Sequence, residues 1–213
     1  MARKDLDQIF EAARWAPTPH NMQNFEIVMV DDRKLLGAIG AIESPISEDF
    51  IRENYQQLSF SEAELKRRKV GLLGTMFPAF LRNPEVKLDA RRKRGMSSQE
   101  SLVKKDPVLL IVVYDPAKRA PASEGDFLGI MSLGCVMENM WLAAQSLGLA
   151  FHILSSLGEA PMEAEVKRLL QIPKGLRIAF GVRLGYPAYP PRKQLRVRRD
   201  VEDFVHLNHY GKN

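Results

Sequence analysis

The residues best equipped for chemistry lie in one short run, Ala16-Pro17-Thr18-Pro19-His20-Asn21-Met22-Gln23-Asn24-Phe25. Two prolines stiffen its backbone, while Asn21 and Gln23 each carry a donor and an acceptor. Such a run can hold a rigid polar edge against a planar heterocycle, or it can simply join a helix to a strand. Other chemistries find less support. His206 and His209 could share a helix face as metal ligands, but no further His or Cys completes a set, so no metal is expected. His20 and His152 are isolated, and without a G-x-S-x-G elbow a hydrolytic triad lacks its nucleophile. Neither G-x-G-x-x-G nor G-x-x-x-x-G-K-[ST] occurs, and the apolar run Phe25–Val30 continues into Asp31, Asp32 and Arg33, which argues against a dinucleotide fold or a P-loop.

Positioning the Pro17–Gln23 loop falls to the elements on either side. Leu6, Ile9, Phe10, Ala13 and Arg14 mark a first helix. Four apolar runs bounded by charged or turn residues read as strands: Phe25–Val30, Val108–Tyr114, Ala150–Leu154 and Arg177–Leu184. Met162, Val166, Leu169 and Leu170 form the apolar stripe of a later helix that ends before Pro173 and Gly175. Phe127 to Leu154 carries a single formal charge, Glu138, and is long enough to span a membrane. Asn139 and Gln145 also interrupt it, and Gly148 stops it before a strand-like continuation, so it reads as a helix buried on nearly all sides. A small domain rarely covers every face of such a helix, which predicts a subunit interface. The order of elements describes an α/β or α+β layered domain.

From about Ala41 to Asp106 the chain is helix-prone but broken by Pro45, Pro78 and Pro84, and it carries the basic runs Lys66–Lys69 and Arg91–Arg94. This is an inserted cap, either a solvated excursion or a lid over a ligand. Its most apolar piece, Gly71 to Phe80, holds Phe77 and Phe80, which either staple the insert down or roof a pocket for a planar acceptor. The length of 213 residues suits one domain, 1–213, with the cap at about 41–106. A net charge of +5 suits an anionic partner without choosing one. The single cysteine, Cys135, excludes an internal disulfide framework, reads as a small core residue and agrees with a reducing compartment. The start, MARKDLDQIF, has no apolar core for a signal peptide, so a cytoplasmic protein is expected.

Glu11 to Phe25 closely resembles the flavin-binding signature of the nitroreductase family, usually A-R-x-A-P-S-x-x-N-x-Q-P-W. Three more blocks resemble the family in order: Met137 to Leu149 its core helix, Leu184 to Ala188 the exit of its last strand, and Asp200 to His209 its terminal segment. The resemblance implies an α+β fold with a central mixed or antiparallel sheet flanked by helices, and a homodimer through a long buried interface helix, with FMN in interface pockets. Carried over, Pro17, Thr18, Pro19 and Asn21 approach the flavin ring from the partner subunit, with Gln23 supporting the loop. Thr18 replaces the usual Ser and keeps its hydroxyl, whereas Asn24 and Phe25 replace Pro-Trp, a change that bears on packing. The segment near flavin N5 maps to Ser155, Ser156 and Leu157, and its Ser pair resembles the iodotyrosine-deiodinase-like branch, in which a hydroxyl donates to N5. A loop of solvated serines is the alternative. Arg196, Arg198 and Arg199 match the family's basic residues for the FMN phosphate. The N-terminal R-[RS]-S-x-R stretch is missing, so either Arg3 and Lys4 substitute for it or the chain begins upstream.

The implied function is an FMN-dependent oxidoreductase that passes electrons from NAD(P)H to a small organic acceptor such as a nitroaromatic or a quinone. A reductive dehalogenase or another flavin-specialised relative is the alternative within the family. The non-enzymatic alternative is a basic nucleic-acid-binding protein, but aromatics do not alternate with its basic runs as single-strand binding requires. Neither nucleic acid nor membrane is therefore expected as a partner.

Overall fold

The computed structural model describes residues 1–43, 61–68, 107–123, 125–188 and 198–211. The chain divides into two compact units, one of Met1–Ser44 with Ser98–Pro190 and one of Pro45–Ser97 with Pro191–Asn213. The first unit holds all four strands, β1 (Phe25–Val30), β2 (Val108–Tyr114), β3 (Ala150–Leu154) and β4 (Arg177–Gly185), in the order β1-β2-β4-β3. Every neighbouring pair is antiparallel. It also holds α1 (Arg3–Arg14), α2 (Arg33–Gly40), α4 (Phe127–Ser146) and α5 (Ala160–Leu170), while α3 (Glu62–Arg67) belongs to the second unit. The purely antiparallel sheet makes this an α+β domain.

β2 explains the layering. Its side chains alternate between faces, yet Val108 to Val113 are all buried, because helices cover both sides. On one face Val108, Leu110 and Val112 join Leu6 and Ile9 of α1 and Leu133, Val136 and Met140 of α4. On the other, Leu109, Ile111 and Val113 join Leu36 and Ile39 of α2, Met162 and Val166 of α5, and Leu157. A bulge in the β2–β4 ladder pairs Val112 with Phe180 but Val113 with Ile178, leaving Ala179 as an extra residue. The bulge reverses the alternation, so Phe180 and Ile178, two apart, point into opposite cores.

Helix starts follow local chemistry. Asp32 caps α2 by accepting from the N–H groups of Lys34 and Leu35, both at 2.8 Å. In the second unit Ser61 and Glu64 form a reciprocal capping box at the start of α3. α4 passes the length and hydropathy test for a membrane span. It packs against α1 instead, tied by Asn139 Nδ2 donating to the carbonyl of Ala12 at 3.0 Å. The expected all-round burial of α4 is corrected for the single chain: Phe127 and Leu142 are 67% and 59% exposed, and Ile130, Met131 and Trp141 lie open beside them. Among the described residues the sheet, α1 and the Pro19–Asn21 turn cover one side of this helix, and these apolar side chains stay uncovered on the other. Cys135 is half-buried at the edge of this core.

Candidate functional site

α1 hands the chain to the Pro17–Gln23 loop by tightening its last turn, with Trp15 N–H on Glu11 O and Ala16 N–H on Ala13 O. Thr18 is extended, as a residue before proline must be, and Pro19 opens a 3-10 turn over Pro19–Asn21. His20, Asn21 and Gln23 then adopt left-handed φ values of 49°, 53° and 45°. None of them is glycine, and such conformations are unfavourable by about 1 kcal/mol or more each unless their surroundings hold them. Side chains do the holding. Thr18 Oγ1 accepts from the N–H of Gln23 at 3.1 Å, and Gln23 Nε2 donates to Asn21 Oδ1 at 3.2 Å. Two 3-10 bonds, Asn21 N–H to Thr18 O and Met22 N–H to Pro19 O, close the turn beneath them. The result is a pre-shaped loop that leaves Pro17, Asn21 and Gln23 exposed and Thr18 and Pro19 half-buried.

The end of the loop is anchored through Asn24. It is buried, and its Oδ1 finds no hydrogen-bond partner among the described residues. A Cβ on Gly129, in the first turn of α4, would fall 2.9 Å from Asn24 Nδ2, so only glycine lets the loop end sit this close to the helix. Sequence reasoning assigned no role to this pair. The departure from Pro-Trp at positions 24 and 25 was its only signal.

Ser155, Ser156 and Leu157 form a single 3-10 turn, Ser155–Gly158, directly after β3. Ser155 is exposed and Ser156 half-buried. Leu157 is fully buried, its side chain pressed against the bare Cα of Gly181 on β4, so it can meet a ligand only through its backbone. A Cβ on Gly158 would fall 3.0 Å from the carbonyl of Ile178. Beside the turn, His152 on β3 faces Arg183 on β4. Burial, and secondarily the Arg183 charge, holds its pKa below the ordinary histidine value.

The cation candidates fall in both units. Arg3 is exposed and paired with Asp7 at 2.9 Å. Its helix start is tied down by Tyr186, whose hydroxyl donates to Asp5 Oδ2 at 2.7 Å, and this bond raises the Tyr186 pKa. Arg198 and Arg199 belong to the second unit, where Arg199 Nη2 donates to the carbonyl of Asp203 at 2.9 Å and its guanidinium lies over the Phe204 ring. Arg196, Phe77 and Phe80 lie outside the described residues. Among the described residues no group of three His, Cys, Asp or Glu side chains is placed to hold a metal.

The Nitroreductase family model matches residues 1–186. A NADPH-flavin oxidoreductase of Vibrio harveyi is 31% identical over 96 residues, 45% of this chain and 38% of that protein. The chain thus spans about two fifths of the length of the curated relatives it matches. Among solved structures, the NADPH:FMN oxidoreductase of Vibrio harveyi complexed with NAD+ is similar with a TM-score of 0.59 at 18% identity, covering 100% of this chain and 71% of that one. A nitroreductase of Bacteroides fragilis with bound FMN gives 0.55 at 18% identity, covering 98% of this chain and 89% of that one. At such identities the structures establish a shared fold.

Proposed function

This chain belongs to the nitroreductase family, and on that premise we propose that it is an FMN-dependent oxidoreductase acting as a homodimer, with NAD(P)H as electron donor and a small organic acceptor. The observation that carries the reading is the Pro17–Gln23 loop, in which three left-handed non-glycine residues are locked by Thr18, Asn21 and Gln23. Strain stored beside an exposed polar edge is a feature of ligand clamps rather than of simple connections.

The described residues fit the cofactor. Asn21 and Gln23 offer amide donors and acceptors on the exposed side of the loop, and the Thr18 hydroxyl, which accepts from Gln23, retains its own proton to donate. Ser155 and Ser156 offer hydroxyls at the end of β3. Arg198 and Arg199 are the cations proposed for the phosphate, with Arg3 as a third. FMN, when bound, supplies hydride and electron transfer, so the chain needs no acid–base pair of its own: its task is to orient and to tune. The uncovered face of α4 and the exposed Trp15 support a second copy as partner, since an apolar surface of that kind is rarely left to solvent. The single cysteine supports a reducing, cytoplasmic setting. The stretch 41–106 is proposed as a cap within one family domain.

The test is anaerobic. A purified protein that is yellow and loses its flavin absorbance on adding NADPH or NADH supports this reading, and the faster donor identifies the co-substrate. A colourless protein that takes up no flavin but retards an oligonucleotide would favour the nucleic-acid alternative.

A further inference from the structure

A cavity of about 740 Å³ opens beside α5 and its connection to β4. Four cations line it, Lys167, Arg168, Lys174 and Arg177, against one carboxylate, Glu163. That carboxylate is already committed: it is buried, accepts from Arg177 Nε at 2.9 Å and takes the N–H of Ile178 at 2.8 Å. Cations near a helix C-terminus ordinarily serve the helix dipole and its open carbonyls. Lys167 does so by donating to the carbonyls of Lys174 and Leu176, which folds the connection back against α5.

The other three exceed that need. Lys174 is exposed, and its ammonium makes no hydrogen bond or ion pair among the described residues. Arg177 bonds through Nε alone, leaving its two terminal amino groups without partners there, and its side chain is half exposed. Among the described residues Arg168 pairs with Glu165 alone, a weak exposed contact that a ligand can displace. Apolar wall between these charges comes from Ala164 and Ile172. The volume lies within the range of small-molecule pockets.

We propose that this cavity binds a phosphorylated small organic molecule. The phosphate is held by Lys174, Arg168 and the free end of Arg177, and its organic body lies against Ala164 and Ile172. Two guanidinium forks and a lysine point charge suit a multiply charged tetrahedral anion better than a lone carboxylate. None of these residues belongs to the Pro17–Gln23 loop or the Ser155–Gly158 turn, so this inference stands independently of the proposed flavin site.

Calorimetric titration of the FMN-loaded protein with ADP, pyrophosphate and citrate at constant ionic strength provides the test. ADP is expected to bind saturably at a single site per chain and more tightly than pyrophosphate, with citrate weakest. The double variant Lys174→Glu/Arg168→Glu should weaken ADP at least about tenfold with its native fold and FMN content retained. Should that variant prove unstable, Lys174→Gln, which breaks no bond in the structure, is expected to weaken ADP several-fold and carries the test alone. Absence of saturable binding, citrate binding as tightly as ADP, ADP no tighter than pyrophosphate, or affinity indifferent to these substitutions would overturn the proposal.

Discussion

The Pro17–Gln23 loop and the Ser155–Gly158 turn, the two segments proposed to meet the flavin, are held in place by opposite means. The turn is anchored from below: Leu157 is sunk in the core against Gly181, and Gly158 lies tight on β4, so the serines ride on a packed base. The loop has no such anchor between Pro17 and Gln23. Its shape comes from proline restriction, left-handed backbone and hydrogen bonds among its own side chains. Packing makes a site costly to unfold, whereas local bonding makes it costly to reshape. A substitution in the turn should therefore register first in global stability, and one in the loop first in ligand affinity.

The largest effect should come from Leu157→Ala, which removes a fully buried side chain and leaves a cavity, destabilising the fold by about 2–5 kcal/mol. Thermal or denaturant unfolding measures it. A loss well under 1 kcal/mol would mean that the turn is no better anchored than the loop. Next, neither segment carries a Lys or Arg, so the phosphate must be held from elsewhere. Arg198→Ala with Arg199→Ala should weaken FMN binding by at least about 2 kcal/mol, reasoning from charge-assisted bonds of roughly 1.5–3 kcal/mol each. Unchanged affinity would move the assignment to Arg196.

In the loop, Thr18→Ala removes the acceptor for the Gln23 N–H. It should weaken FMN binding about tenfold, roughly 1.4 kcal/mol, with unfolding shifted by no more than about 1 kcal/mol. Thr18→Ser should restore both. If Thr18→Ala lowers stability as much as Leu157→Ala while sparing affinity, the contrast between the segments collapses. The smallest effect concerns pH. His152 titrates below its unfolded value, so its neutral form is the one the fold favours. Its contribution is present above the ordinary histidine pKa near 6.5 and is lost as pH falls through that value toward the folded one. His152→Gln should flatten that part of the stability profile, and an unchanged profile would place the acid sensitivity elsewhere.

The two segments also differ in how far a sequence can show them. Strands such as Val108–Tyr114 are legible because an unbroken apolar run bounded by charge has few other places to go. α2 was missed although Asp32 ahead of Arg33-Lys34-Leu35 is an N-cap signal. The extra residue at Ala179 was not legible, since a bulge leaves the apolar pattern intact and changes only which face each residue meets. In the loop the prolines and amides stand out, but left-handed backbone at His20 and Gln23 does not, because glutamine rarely adopts it and histidine, though enriched there, still does so in a small minority of cases. Glu163 and Arg177, fourteen residues apart, meet only once the α5–β4 connection has folded back.

The most direct test of the account is a titration of the flavin-free protein with FMN, followed by quenching of flavin fluorescence, in the wild type and in Asn21→Ala. The account predicts saturation at one FMN per chain, and an affinity at least about tenfold weaker in the variant with the fold retained and unfolding shifted by no more than about 1–2 kcal/mol. No saturable binding, or equal affinity in the two proteins, would contradict it.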